Sequence, residues 1–124
     1  MKTRELLMAA KDAGFGILTP VVGQNDVYRF TALGLNCLLF ITSANPQKDV
    51  TSLQVFVGIT LPGLSLAKVN RWNLENRFAK AYAMDSGALA VDFDVLLSGD
   101  EKAALSSAFA IWCLQLSRLG DYFG

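Results

Sequence analysis

The C-terminal segment carries the sequence pattern that constrains the fold most. Apolar side chains recur there at steps of four, three, four and three residues: Leu105, Phe109, Trp112, Leu116 and Leu119. This spacing places them on one face of a single α-helix, predicted over about residues 100–119 and ended by Gly120. Ser98, with Glu101 three residues later, fits a capping box at its start. A face this apolar must be buried, and we expect the helix to lie across a β-sheet.

The middle of the chain has the patterns of strands. Segments of suitable composition, separated by turn-forming clusters, cover residues 27–32, 37–42, 51–59, 77–84 and 89–97. Residues 17–22, broken by Pro20, are edge-like or irregular, and residues 43–49 form a polar loop. Helices are predicted over residues 3–13 and 66–75. The order αβββαββα is an α+β fold, a five-stranded antiparallel sheet with helices packed against it.

Two strands have side-chain patterns that assign their faces. In the strand 51–59, Leu53, Val55, Val57 and Ile59 alternate with polar residues and glycine, apart from Phe56. An aromatic on the face away from the core is a candidate partner contact, although a covering helix or loop would explain it equally well. In the strand 77–84, Phe78, Lys80, Tyr82 and Met84 share one face. Alanines line the other face and would let a helix approach closely.

Composition limits the function. The 124 residues suit one domain, 1–124, and the 11 basic and 11 acidic residues cancel. A neutral chain has no overall field to attract nucleic acid or an anionic membrane. Without histidine, the usual general base near neutral pH and the commonest metal ligand are missing. No apolar run suits a signal peptide or a membrane span, so a cytoplasmic location is expected. Cys37 and Cys113 suit buried, reduced thiols, with a disulfide or a reactive thiol as the alternatives.

Two charged groups are candidate sites. Asp92 and Asp94 lie two apart on a strand and point to one face, where they could bind a cation or do acid–base work. Ordinary solvated carboxylates on an exposed sheet face are the simpler interpretation. Four cations lie within 13 residues, offset only by a glutamate: Lys68, Arg71, Arg77 and Lys80. They could bind an anion or a partner, or be ordinary surface charges.

The helix 66–75 ends in a run unusually rich in asparagine. Asn70, Asn73 and Asn76 occur there, although asparagine is a poor residue inside a helix. Their amides are predicted to bond the backbone of the turn into the next strand, with ligand or partner recognition as the alternative. Trp72, which lies between them, suits either the core or a binding platform.

The same region carries a family resemblance. The chain has NRWN at residues 70–73, RFAKAY at 77–82 and DSG at 85–87, followed by an alternating strand. In these motifs it resembles the YbjN-like family of bacterial sensory transduction regulators, most strongly over residues 64–97. The resemblance implies a fold like that of the small dimeric chaperones of type III secretion. It implies no enzyme, no catalytic residues and no cofactor.

Two functional hypotheses follow. The first is a non-enzymatic cytoplasmic regulatory or chaperone-like protein-interaction domain, a homodimer that binds neither nucleic acid nor membrane. Its candidate partner-binding residues are Asn70, Arg71, Trp72, Asn73, Arg77 and Phe56. The alternative is a small-molecule binding domain with an apolar, aromatic-lined pocket between the C-terminal helix and the sheet. A cavity beside Trp72 or Trp112 would favour the alternative.

Overall fold

The computed structural model describes residues 1–43 and 49–124. Three helices and six strands make up the described chain. In order they are α1 Thr3–Ala10, β1 Thr19–Pro20, β2 Val27–Ala32, β3 Leu35–Ser43, β4 Val50–Ile59, α2 Leu66–Glu75, β5 Lys80–Ala83, β6 Leu89–Leu96 and α3 Glu101–Phe123. A π-helical turn, Lys11–Phe15, continues α1. Most of the predicted polar loop over residues 43–49 lies outside the described residues.

The strands form one antiparallel sheet in the order β1-β2-β3-β4-β6-β5. The predicted α+β class is confirmed, and so is the pairing of β5 with β6. The count of five strands is wrong, because the short β1 pairs with β2 at the edge and makes a sixth. Pro20, which lies in β1, has no N–H to donate to a ladder and is tolerated at such an edge.

All three helices pack on one face of the sheet. Leu39, Val55 and Val91, from three neighbouring strands, are fully buried on that face. They join a single core with Trp72 of α2 and Trp112 of α3, both of which have no exposed surface. The predicted stripe on α3 therefore does lie against the sheet, and the predicted inward face of β4 is confirmed.

Both ends of α3 differ from their predictions. The N-cap is Asp100, whose Oδ1 accepts a hydrogen bond of 3.1 Å from the backbone N–H of Ala103. Ser98 does not cap the helix, since the positive φ of 66° at Gly99 turns the chain before the helix begins. The helix also continues through Gly120 to Phe123. Glycine disfavours a helix only weakly, so packing can carry the helix past it.

The turn after α1 depends on glycine. Gly14 has a φ of 120°, which favours glycine over residues that carry a side chain. A Cβ atom at Gly14 would lie 2.5 Å from the ring of Phe109 on α3. Phe15 is buried next to it and packs edge-on against Phe30, with ring centroids 5.1 Å apart. A larger residue at position 14 would therefore separate the N-terminal segment from α3.

Candidate functional site

The end of α2 is joined to strand β5 by side chains that bond the strand's backbone. The Nε1–H of Trp72 donates to the carbonyl of Ala79 at 2.9 Å. The Asn73 amide bonds both backbone groups of Ala81: its Nδ2 donates to the carbonyl and its Oδ1 accepts from the N–H, each at 2.9 Å. Because β5 is an edge strand, those groups would otherwise lack partners. The Asn73 side chain thus forms the two hydrogen bonds with Ala81 that a neighbouring strand would form.

Asn76 links the same junction to α3. Its Nδ2 donates to the Trp72 carbonyl at 3.1 Å, and its Oδ1 accepts from Arg118 at 3.2 Å. Nearby, Glu75 accepts hydrogen bonds from Arg71 and from the Tyr122 hydroxyl. The hydrogen bond from Tyr122 lowers the pKa of Glu75 most, and the bond from Arg71 lowers it further. The bond between Tyr122 and Glu75 also raises the pKa of Tyr122. The predicted bond from an asparagine amide to the backbone beyond α2 is confirmed for Asn73, whereas Asn76 bonds the backbone of α2 itself.

The remaining residues predicted to bind a partner do not all lie together. Asn70, Arg71 and Arg77 are exposed on α2 and the following turn, and Phe56 is half-buried on the far face of the sheet. Trp72 is buried, so it supports the junction from within. The partner-binding role of these residues stays a prediction.

The four clustered cations do not form one patch. Lys68 and Arg71 border a polar cleft of about 460 Å³ between α2 and α3, together with Arg118. Lys80 lies on the opposite face of the sheet, where its Nζ is 3.4 Å from Asp92 Oδ1. Arg118 was not predicted to belong to this group, because it is distant in sequence and comes next to α2 only through the packing of α3.

The two aspartates of β6 have different surroundings. Asp94 is exposed and accepts a hydrogen bond of 3.0 Å from Gln54. Asp92 is only 3% exposed, so the prediction of a solvated carboxylate is wrong for it. Its Oδ2 accepts from the Tyr82 hydroxyl at 2.9 Å. Its Oδ1 has the ion pair with Lys80 but no aligned hydrogen-bond donor within the described chain.

Burial and the bond to Asp92 also change the chemistry of Tyr82. Desolvation is the larger cause, and the two together raise the pKa of Tyr82 to about 12. The Lys80 ammonium lies 5.8 Å from the centre of the Tyr82 ring, within cation–π range. This phenol therefore stays protonated at neutral pH and donates its hydrogen bond to Asp92.

An apolar patch surrounds this cluster on the sheet face away from the helices. We call it the outer patch, and its members are Leu38, Phe40, Phe56, Tyr82 and Met84. None of these side chains belongs to the hydrophobic core or packs against it within the described residues. Phe40 and Phe56 meet edge-on, with ring centroids 6.2 Å apart. The prediction that Phe56 faces away from the core is confirmed.

A second apolar feature lies at one end of the sheet. An open groove of about 390 Å³ separates the last turns of α3 from the β2–β3 turn and the adjoining ends of β4 and β6. Its lining is aliphatic, with Phe123 as the one aromatic among its described lining residues. Trp72 and Trp112 are fully buried and do not line it. This groove is therefore not the predicted aromatic-lined pocket beside Trp72 or Trp112, and the small-molecule alternative stays a prediction.

Comparison with protein families matches residues 13–124 to the YbjN family, described as "Putative bacterial sensory transduction regulator". The chain belongs to the YbjN family. A search of curated proteins found no match. The family match includes the α2–β5 junction, the outer patch and the groove.

Two further features of this YbjN-family structure concern metals and membranes. Within residues 1–43 and 49–124, no three acidic or cysteine side chains come together as a metal site would require. In the same residues, no helix combines the length and the apolar character needed to cross a membrane. Both cysteines are free thiols, Cys37 buried and Cys113 partly exposed, and burial raises the pKa of each.

Proposed function

We propose that this chain is a non-enzymatic bacterial regulator that works by binding proteins, and that it forms a homodimer through the outer patch. The observation that carries the proposal is that patch. Contiguous apolar surface on a soluble domain commonly marks an interaction site, and aromatic residues and methionine are enriched in protein interfaces. The family description as a regulator agrees with this reading but names no partner.

The charges around the outer patch favour a second copy as its occupant. Cross-strand pairing aligns one row of side chains on this face, from β2 to β5: Arg29, Leu38, Phe56, Asp92 and Lys80. Its first four members run from a cation through two apolar residues to an anion, and Lys80 adds a second cation at the edge strand. A two-fold axis parallel to the strands, between β3 and β4, reverses the row onto itself. It would place Arg29 of one copy over Asp92 and Asp94 of the other.

The exposed carboxylate of this row's neighbour, Asp94, is the group that a second copy could reach. The Oδ1 atom of Asp92 is itself covered within the single chain. The Arg29 guanidinium of a second copy would pair with Asp94, and arginine is suited to pairing with carboxylates. Two sheets stacked face to face pack about 10 Å apart, with their strands within about 30° of each other.

Light scattering on purified protein tests the dimer. We expect a mass twice that of the 13.4 kDa chain at tens of micromolar. The variant Phe56→Glu would place a charge in the centre of the interface and should give a monomer. Leu74→Glu is the matched control, since Leu74 is 78% exposed on α2, and it should leave the dimer intact. A wild-type monomer would refute the dimer.

Charge reversal tests the proposed orientation. Arg29→Glu should weaken the dimer because it would face two aspartates across the axis, and Asp94→Lys should weaken it for the converse reason. Combining the two changes restores opposite charges and should recover much of the affinity. If the loss of dimer affinity in the double variant equals the sum of the losses in the two single variants, the two-fold axis does not lie parallel to the strands.

A second surface is proposed for the regulated partner. Asn70, Arg71 and Arg77 are exposed and lie on the helix side of the molecule, so a dimer through the outer patch would leave them available. Trp72 and Asn73 would act on this surface indirectly, by fixing the position of α2. Arg71→Glu with Arg77→Glu should change the set of proteins captured from the native bacterium while the dimer persists. An unchanged set would remove this surface from the proposal.

The remaining parts of the proposal are a cytoplasmic location and a fold related to the chaperones of type III secretion. The absence of histidine from the sequence and the high pKa of Tyr82 support a role without acid–base catalysis near neutral pH. A turnover activity in purified protein would contradict that role.

A further inference from the structure

The apolar groove at the end of α3 is bordered by two residues that are unfavourable for the backbone they occupy. Gly120 lies inside α3, where alanine would stabilise the helix more. Leu33 lies in the β2–β3 turn with a φ of 50°, followed by Gly34 with a φ of 75°. Two-residue hairpin turns with both φ values positive favour Asn-Gly, because leucine rarely adopts this conformation.

Both residues shape the same space. A Cβ atom at Gly120 would meet no other atom within 4 Å, so the missing methyl group leaves the groove open without relieving a clash. Leu33 lines the groove and is 61% exposed. Leu89 and Leu116, which are buried, also line it. The positive φ of Leu33 is the kind of backbone strain that points to function, and it lies at the same open apolar site as the helix-weakening Gly120.

The lining indicates the chemical class of the ligand. Every described side chain around the groove is uncharged, and the one hydroxyl, that of Ser117, already donates to the Leu114 carbonyl at 2.6 Å. An extended peptide would bring backbone polar groups that find few partners here, which is unfavourable. The volume of about 390 Å³ lies near the lower end for small-molecule sites. It would hold only one or two side chains of a docking helix.

We propose that this groove binds the aliphatic chain of a small lipid-like molecule. Gly120 would provide the space, and Leu33 would cover the bound aliphatic chain. The ligand's polar end would lie in solvent at the open side. The groove is at the end of the sheet and does not include the outer patch, so this inference stands apart from the proposed dimer.

Fluorescence displacement tests the proposal with the neutral dye N-phenylnaphthylamine as probe and lauryl alcohol as competitor. Wild-type protein should bind the dye, and lauryl alcohol should displace it. Gly120→Leu would fill the groove and should weaken binding at least tenfold. Leu74→Ala, which removes exposed apolar surface elsewhere, should leave binding unchanged. If wild-type protein does not bind the dye, or if Gly120→Leu binds it equally well, the proposal is wrong.

Two milder variants separate a ligand site from a structural role. Gly120→Ala and Leu33→Asn should each raise the melting temperature, because each places a favoured residue in its backbone conformation. Each should also weaken binding several-fold. A lower melting temperature with unchanged binding would mean that these residues serve the fold, and would overturn the inference even if Gly120→Leu fails to fold. Light scattering on the same samples reports the dimer separately.

Discussion

The two faces of the sheet differ in what covers them. On one face, apolar strand residues share one core with the three helices, and both tryptophans are fully buried. On the other, Phe40, Phe56 and Met84 lie around a buried aspartate with no described helix over them. Burial on the helix side accounts for the stability of the domain. The apolar side chains of the outer face lie outside the core and do not contribute to this stability, so we assign that face to binding.

Trp112→Ala tests the helix side of this comparison and should have the largest effect. Trp112 has no exposed surface between α3 and the sheet, and replacing such a side chain with alanine costs about 3–5 kcal/mol. Urea unfolding measures this loss of stability. The control is Leu114→Ala, since Leu114 is 51% exposed on the same helix, and it should change stability little. Equal losses in the two variants would contradict the assignment of the core to this face.

Asn73→Ala tests the junction between α2 and β5. It leaves the N–H and the carbonyl of Ala81 without their partner, and we expect a loss of about 1–3 kcal/mol. Asn70→Ala is the matched control, being an exposed asparagine on the same helix. Should both variants have wild-type urea midpoints, the amide bonds to β5 would contribute nothing to stability.

Tyr82 tests the outer face, and its effect on stability should be the smallest of the three. Its pKa is raised from 10.0 to about 12 in the folded chain. The unfolded chain therefore loses this proton first, so the contribution to stability is complete below pH 10 and is lost as the pH rises towards 12. Denaturation midpoints across this range should fall more for wild type than for Tyr82→Phe. Parallel curves would show that Tyr82 is not perturbed.

The sequence predicted best those features that depend on a single element. The spacing of Leu105 to Leu119 identified the buried face of α3, and the alternation of β4 showed that Phe56 faces outward. Likewise, asparagine is so poor inside a helix that a backbone role for Asn73 could be expected. In each case the pattern of one segment was enough.

The features that were missed depend on neighbours from other segments. Asp92 alternates like a solvated residue, but its burial comes from Phe56 on β4 and Lys80 on β5, the residues paired with it in register. Arg118 reaches Asn76 only because α3 packs beside α2. Gly120 was expected to end α3, yet the helix continues because its last turn packs Phe123 against Trp72, with ring centroids 6.1 Å apart.

The most direct test of the central claim is hydroxyl-radical footprinting of the side chains at low and high protein concentration. Met84 lies in the outer patch and is 39% exposed, whereas Met8 on α1 is 64% exposed and lies outside the patch. If the outer face pairs with a second copy, oxidation of Met84, Phe56 and Tyr82 should fall as concentration rises, while oxidation of Met8 stays constant. Oxidation of Met84 that does not depend on concentration would contradict the claim.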